Sequence, residues 1–204
     1  MEQIKTITKL IESYKKLPTI GSKTAERLAY ATLNLSKEDV DLFISSLQDA
    51  KNVKRCPDCG MFFDNYCPIC SDHTRDKKTL LVVSNSKDIL AIEKADVYHG
   101  RYFALNGTLS AIHNRTIETT LIKNLFELVD ANKDIKEIIL ALETDLDGEI
   151  TSSYIAKHYQ DNSNIKITKI AYGIPLGTSI EYLDQMTISQ AIKGRRYIKE
   201  DDEE

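Results

Sequence analysis

The four cysteines constrain this chain more than any other feature. All of them fall in one stretch, as the pairs Cys56/Cys59 and Cys67/Cys70, with seven residues between the pairs. Each C-x-x-C pair can turn two thiolates toward one point, and a short hairpin would bring the pairs together. The spacing therefore predicts one tetrahedral zinc ion per chain. Because all four positions are taken by sulfur, we expect its role to be structural.

Two other interpretations of the cysteines fit the sequence less well. Disulfides would need an oxidising compartment, but the N-terminus, Met1–Lys5, lacks the apolar core of a signal peptide. Four unrelated buried cysteines would not share this spacing. The longest apolar runs, Leu80–Val83 and Ile138–Leu142, are too short to span a bilayer. We therefore expect a cytoplasmic protein with reduced thiols and no contact with membranes.

The N-terminal segment has the apolar spacing of helices. Residues 3–16 form the first predicted helix, Ser22 is a candidate cap for a second, and Ser36 with Asp39 suggests a capping box for a third. The apolar residues that these patterns place on the buried sides are Ile4, Ile7, Ile11, Tyr14, Ala25, Leu28, Ala29, Leu33, Val40, Phe43, Ile44 and Leu47. We expect an all-α segment over residues 1–54.

The first two predicted helices and the turn Leu17–Gly21 between them resemble a helix-hairpin-helix DNA-binding motif. A tight turn beside a helix N-terminus exposes N–H groups to a phosphate oxygen. The candidate DNA-binding residues are Lys15, Lys16, Gly21, Ser22, Lys23 and Arg27. Residues 1–30 hold six basic and three acidic side chains, whereas the whole chain carries a net charge of −4. The alternative is a plain helical hairpin with solvated lysines. Thr19 stands where the motif usually has glycine.

Beyond the cysteines, strand and helix patterns alternate, which predicts a mostly parallel sheet with helices on both sides. The predicted strands are Thr79–Ser84, Arg101–Leu105, Glu137–Leu142 and Lys166–Tyr172. The predicted helices are Ser86–Ala95, Thr116–Ala131, Gly148–Gln160 and a short one near Ile188–Lys193. The acidic end, Glu200–Glu204, is predicted to be solvated and frayed.

An acidic loop follows the third of these strands. It carries Glu143, Asp145, Asp147 and Glu149 at the carboxyl end of a predicted strand, where open α/β sheets bind ligands. Closely spaced carboxylates could hold Mg²⁺. Alternatively, they complement the N-terminus of the following helix. The spacing does not favour either interpretation.

The order of these parts resembles the RecR family of bacterial recombination mediators over essentially the whole chain. The matching stretches are Leu17–Leu28, Cys56–Asp72, Tyr98–Ser110, Asp147–Thr151 and Ile170–Arg196. The resemblance implies an α/β fold with an all-α N-terminal segment, divided into four regions. These are a helix-hairpin-helix region for DNA binding and assembly (1–54), a small four-cysteine zinc finger (55–78), a Toprim domain (79–172) and a C-terminal Walker-B-like and assembly segment with an acidic tail (173–204).

The resemblance also implies a non-enzymatic role. Members of the family act with RecO and RecF to help RecA replace single-strand-binding protein on gapped DNA, and they assemble into dimers and tetrameric rings. Catalytic Toprim enzymes carry a glutamate at the end of the first strand, where this chain has Ser84. The acidic loop is therefore expected to be a partner-binding surface. The alternative function is that of a Mg²⁺-dependent Toprim nuclease or phosphotransferase. A zinc-ribbon regulator would leave the large α/β half unexplained.

Overall fold

The computed structural model describes residues 4–162, 164–195 and 197. The start of the first predicted helix, at residue 3, and the acidic end lie outside the described residues. The chain divides into two compact units, one ending at Val53 and the other beginning at Lys54. This division lies one residue before the predicted boundary at residue 54. The predicted boundaries within the second unit remain predictions.

The first unit contains three helices, α1 (Lys5–Tyr14), α2 (Ser22–Thr32) and α3 (Lys37–Asp49). The Tyr14 hydroxyl lies 2.6 Å from the Thr32 hydroxyl and links α1 to α2. Ser36 caps α3, because its hydroxyl accepts the Asp39 N–H at 3.0 Å, as the capping pattern predicts. Ala25 and Ala29 of α2 are fully buried.

Two sequence-based expectations for this unit are wrong. Ser22 does not cap α2, because Gly21 occupies the N-cap position and Ser22 is the first helical residue. The apolar side of α3 is not buried: Phe43, Ile44 and Leu47 are exposed, as is Leu33 after α2. Periodicity correctly identifies an apolar face, but three short helices do not enclose enough volume to bury it.

The second unit begins with an antiparallel hairpin, β1 (Lys54–Arg55) and β2 (Phe62–Phe63). Its sheet contains β3 (Asp76–Val83), β4 (Gly100–Ala104), β5 (Glu137–Ala141) and β6 (Lys166–Lys169). All neighbouring strands are parallel, in the order β4-β3-β5-β6. The helices are α4 (Ser86–Ala95), α5 (Ile122–Ala131), α6 (Leu146–His158) and α7 (Gln185–Lys193), with a 3-10 turn at Ile180–Tyr182.

Alternate residues of the central strand β3 face two different cores. Leu80 and Val82 pack in a cluster with Leu125 of α5 and Ile155 of α6. Leu81 and Val83 lie in a second cluster that contains Ile89 of α4 together with Cys56, Cys59, Met61, Cys67 and Ile69 of the cysteine segment. The period-two alternation of a strand thus places helices α5 and α6 on one core and the cysteine segment with α4 on the other.

Several element limits differ from the sequence-based prediction. Helix α5 begins at Ile122 and not at Thr116, since the Thr116 N–H donates to Thr119 Oγ1 and the Thr120 hydroxyl donates to the Thr116 carbonyl. Such local bonds compete with helix formation. Asn85, and not Ser86, occupies the N-cap of α4, where its N–H donates to Asp88 at 2.8 Å.

The remaining differences are shifts of strand and helix ends. The first sheet strand starts at Asp76, and β4 spans Gly100–Ala104, one residue earlier than expected. Strands β5 and β6 stop at Ala141 and Lys169, before the predicted ends. Helix α6 starts at Leu146 because the Asp145 carboxylate accepts the Gly148 N–H at 2.8 Å. Within the described residues no helix is both long and apolar enough to cross a membrane.

Candidate functional site

The four cysteine sulfurs meet at one point, as their spacing predicts. All four Sγ atoms lie within 4.8 Å of one another. The Cys59 and Cys67 sulfurs are 3.4 Å apart, and those of Cys56 and Cys70 are 3.7 Å apart. A disulfide would require about 2.05 Å. Zn–S bonds of about 2.3 Å in a tetrahedron place the sulfurs about 3.8 Å apart, so the cluster fits such an ion.

Backbone bonds hold the first cysteine pair against the sheet. The Gly60 N–H donates to the Cys56 carbonyl at 2.9 Å, and the Ala104 N–H at the end of β4 donates to the Cys59 carbonyl at 2.8 Å. Gly60 has a φ of 74°, and a Cβ there would lie 2.6 Å from the Ala104 carbonyl oxygen. Only glycine fits this turn, so the position of the first pair is fixed by strand β4.

The protonation of the cluster suits a cation. Burial raises the pKa of Cys56 to about 11. A hydrogen bond from the Cys59 thiol lowers the pKa of Cys70 to about 6 and raises that of Cys59. A bound divalent ion would displace the protons that Cys56 and Cys59 hold and would make all four sulfurs thiolates. The structure can hold a metal ion here, with no fifth ligand among the described His, Cys, Asp and Glu side chains.

The predicted hairpin of the first unit has an open helix N-terminus. Gly21, at the N-cap of α2, supplies no side chain, and within the described residues no side chain caps this helix. Its first N–H groups therefore have no side-chain acceptor and are available to an anion. Lys16, Lys23 and Arg27 are exposed near this end. Lys15 is exposed as well, but its ammonium pairs with Glu12 at 2.9 Å.

The turn before α2 is tight despite the absence of glycine at residue 19. The Ile20 N–H donates to the Leu17 carbonyl at 3.3 Å. Thr19 adopts a φ of 67°. A β-branched residue in this left-handed region is strained. The structure therefore forms the turn that glycine would form, at a conformational cost.

The acidic loop lies at the carboxyl edge of the sheet, but its four carboxylates have different partners. Glu143 accepts hydrogen bonds from the Ser84 hydroxyl and from Asn85 Nδ2. Asp145 caps α6. Asp147 forms an ion pair with Arg115 at 3.9 Å, and Glu149 accepts hydrogen bonds from Lys169 and Tyr172. Among the described residues, these carboxylates form no cluster of three or more potential metal ligands.

One position of this loop must be glycine. A Cβ at Gly148 would overlap the carbonyl oxygen of Glu143, because the first turn of α6 packs directly onto the loop. The D-G-E sequence thus fixes the loop backbone next to the helix. Hydrogen bonds from Lys169 and Tyr172 lower the pKa of Glu149 below its usual value, which keeps this carboxylate charged and bound to its partners.

Comparisons with known proteins cover every part of this architecture. Family models match residues 7–51 (RecR, helix-hairpin-helix), residues 78–171 (Toprim domain) and residues 173–196 (RecR, C-terminal). The recombination protein RecR of Lacticaseibacillus casei strain BL23 is 43% identical over 197 residues, which is 96% of this chain and 98% of that protein. The chain belongs to the RecR family.

Other RecR proteins are equally similar. The recombination protein RecR of Oenococcus oeni is 42% identical over 202 residues, covering 97% of this chain and all of that protein. That of Limosilactobacillus fermentum is 42% identical over 197 residues, with coverages of 96% and 98%. These matches confirm the resemblance and the fold class read from the sequence, and they place the chain among recombination proteins.

Sequence reasoning missed one polar network in this RecR-family chain. Arg75 donates to both Glu93 oxygens, at 3.1 and 2.5 Å, and the Tyr102 hydroxyl donates to Glu93 at 2.7 Å. The three side chains lie near the start of β3, in α4 and in β4, so they join separate elements. The residues are far apart in sequence, and no periodic pattern could have paired them.

Proposed function

We propose that this chain is a DNA-binding recombination mediator and not an enzyme. It would act with RecO and RecF to help load RecA onto gapped DNA coated with single-strand-binding protein, in the cytoplasm. The observation that carries the proposal is the uncapped N-terminus of α2 with Lys23 and Arg27 on the same helix, in a chain related along its full length to recombination proteins. The partner names come from the family resemblance.

The proposed contact is with DNA phosphates. The N–H groups of residues 21 and 22 would bind a phosphate oxygen at the helix N-terminus, and Lys23 and Arg27 would neutralise neighbouring phosphates. Lys16 and, after release from Glu12, Lys15 would add to the positive field. Such contacts carry little sequence information, so binding to single- and double-stranded DNA should not depend on sequence.

A salt titration tests this proposal. Each phosphate contact releases counterions, so log K falls with log salt by about 0.9 per contact on duplex DNA and about 0.7 on single strands. Lys23→Ala with Arg27→Ala should weaken binding to all sequences and flatten the slope by about one to two. Lys37→Ala with Lys51→Ala removes the same charge from exposed positions of the same unit and serves as control. An unchanged slope in a folded Lys23/Arg27 double variant contradicts the proposal.

The metal that this family member would hold is zinc, one per chain, in a structural role. The support is the sulfur-only ligand set and its fit to a tetrahedron about 3.8 Å on edge. The acidic loop with Glu143, Asp145, Asp147 and Glu149 would serve RecO or RecF. Exposed apolar side chains in the first unit, such as Phe43 and Leu47, would contribute to a homodimer or a tetrameric ring.

One observation favours the second candidate, a Mg²⁺-dependent nuclease or phosphotransferase: Glu143 stands at a parallel sheet edge where ligands bind. Against it, the neighbouring strand end carries Ser84, which donates to Glu143 and cannot replace a carboxylate in proton transfer. We expect no DNA cleavage with Mg²⁺ or Mn²⁺. Metal-dependent cleavage that disappears in Asp145→Ala protein would favour the enzyme instead.

A further inference from the structure

A groove of about 460 Å³ lies between the cysteine hairpin and the N-terminal end of α4 in the second unit. Part of its lining is apolar: the exposed side chains of Phe62 and Leu90. The rest is polar and includes Arg55 and Lys87, and none of the eight lining residues is acidic. A groove with apolar surface and a cationic border suits a ligand that has both a flat apolar part and a negative charge.

Arg55 is held in this groove with an unused donor. Its Nη2 donates to Asn106 Oδ1 at 2.8 Å, and its guanidinium carbon lies 4.5 Å from the centre of the Phe62 ring. Nη1 is buried and finds no acceptor among the described residues. A buried donor without a partner is costly, so an added acceptor at this guanidinium would be favourable.

The aromatic surface continues beyond the groove. Phe62 also lines a second groove of about 340 Å³, together with Tyr66, whose side chain is exposed. Two exposed rings on one hairpin, next to an arginine and a lysine, form the combination that binds unpaired bases and their phosphates. Duplex DNA hides its base faces, so it could use the cations but not the rings.

We propose that this groove is a second nucleic-acid contact, in which Arg55 and Lys87 each bind one phosphate of single-stranded DNA while a neighbouring base stacks on Phe62. The site lies in the second unit and uses none of the hairpin residues of the first unit, so it is independent of the contact proposed for Lys23 and Arg27. Tyr66 extends the stacking surface to a further base.

Two of the three nearby carboxylates are already bound to other groups. Asp88 accepts the Asn85 N–H at 2.8 Å, and Glu143 accepts from Ser84 and from Asn85 Nδ2 at 3.3 Å. Asp64 lines the second groove beside Tyr66. These charges limit the affinity of each phosphate contact, so the site would bind a strand weakly and would discriminate by stacking.

The test uses the full-length, metal-loaded protein and a fluorescent thymidine 20-mer, with a duplex of the same length as second probe. Arg55→Gln with Lys87→Gln should weaken binding of the single strand about tenfold and flatten its salt slope by about 1.4. Phe62→Leu should weaken the single strand about five- to tenfold and leave the duplex unchanged, because only unpaired bases stack. Lys77→Gln with Lys78→Gln, also exposed in this unit, is the matched charge control.

Arg55 adjoins Cys56 of the metal site, so a second variant leaves Arg55 in place. Lys87→Gln alone lies on the surface of α4 and should flatten the salt slope of single-strand binding by about 0.7. Photocrosslinking with 5-iodouracil should modify the peptide that contains Phe62. Three results would overturn the proposal. They are an equal loss of affinity in the Lys77/Lys78 control pair, an unchanged single-strand salt slope in Lys87→Gln, and equal effects of Phe62→Leu on single-stranded and duplex DNA. Polyglutamate serves as a third probe, and variants that lose its binding with DNA binding intact would also overturn the proposal, because they would indicate an acidic protein partner. Loss of binding only in Lys23/Arg27 variants would overturn this inference and leave the proposed function standing.

Discussion

In the second unit a parallel sheet has packed side chains on both faces, whereas the three described helices of the first unit fully bury two alanines, Ala25 and Ala29. Both units contain helices with an apolar face. The difference lies in geometry, because a sheet offers two faces and the second unit supplies helices and a cysteine hairpin for them. Helix α3 leaves its apolar side exposed. This exposed apolar side supports the proposal that copies of the chain assemble through the first unit.

Metal removal should give the largest effect, and it should be confined to the second unit. The cysteines share a core with Leu81 and Val83 of β3, so loss of the metal would disturb the sheet as well as the hairpin. Structural zinc contributes on the order of 10 kcal/mol of apparent binding free energy. Cys67→Ser should abolish stoichiometric zinc, about one ion per chain in the parent, and lower solubility.

Elemental analysis and proteolysis check this expectation. Cleavage should appear in residues 55–72 and in the sheet, while α1–α3 stay helical. Asn65→Ala, at an exposed position between the two cysteine pairs, should bind metal as the parent does. A metal-free protein that is folded and resistant to protease throughout would contradict the prediction.

A matched pair of leucines should give the next largest effect. Leu125 is fully buried in the sheet core, and Leu47 of α3 is 55% exposed. Leu125→Ala should cost about 2–5 kcal/mol, because it leaves a cavity. Leu47→Ala should change the stability of isolated chains by less than about 0.5 kcal/mol. Its effect should appear in assembly instead, as a shift toward smaller species in a concentration series by light scattering. If Leu47→Ala alters neither quantity, the exposed side of α3 is not an interface.

The division between predictable and unpredictable features follows the same contrast. Local patterns identified the cysteine cluster, the Ser36 cap and the strands that form the sheet, since each depends on residues close in sequence. The exposure of Phe43 and Leu47 could not be predicted, because periodicity shows a face and not what covers it. Neither could the contact between Ser84 and Glu143, which are 59 residues apart. The groove at Arg55 depends on the contact between Arg55 and Asn106, which are 51 residues apart.

The loss of stability at acid pH should be a smaller effect than metal removal or Leu125→Ala, and it should also arise in the second unit. Burial alone would raise the pKa of Glu93, but hydrogen bonds from Arg75 and Tyr102 outweigh burial and lower it below the usual 4.5. A lowered folded-state pKa stabilises the protein above the unfolded-state value, and this stabilisation is lost as the pH falls below 4.5 toward the folded-state value.

Glu93→Gln should therefore cost about 1 kcal/mol at pH 7, since the pair is partly exposed and screened. The difference between variant and parent should shrink as the pH drops below about 4.5. Urea unfolding at pH 7, 5 and 3.5 measures it. Glu127→Gln, at an exposed position of α5, is the control. A difference that stays constant across this range would show that the charge of Glu93 does not contribute.

The smallest effect should come from the first unit and should have the opposite sign. Thr19 adopts a φ of 67° with an exposed side chain. The left-handed region costs a β-branched residue about 1–2 kcal/mol, while glycine loses about 0.5–1 kcal/mol more chain entropy on folding. Thr19→Gly should thus stabilise the hairpin by about 0.5–1 kcal/mol.

Thr6→Gly, in helix α1, should instead destabilise by less than about 0.5 kcal/mol, because glycine is a poorer helix former than threonine. Urea unfolding followed by far-UV circular dichroism, at one protein concentration because assembly adds stability, compares the two. The salt slope of DNA binding should not change in Thr19→Gly, since no phosphate-binding charge is removed. If both variants destabilise alike, Thr19 is not strained in solution.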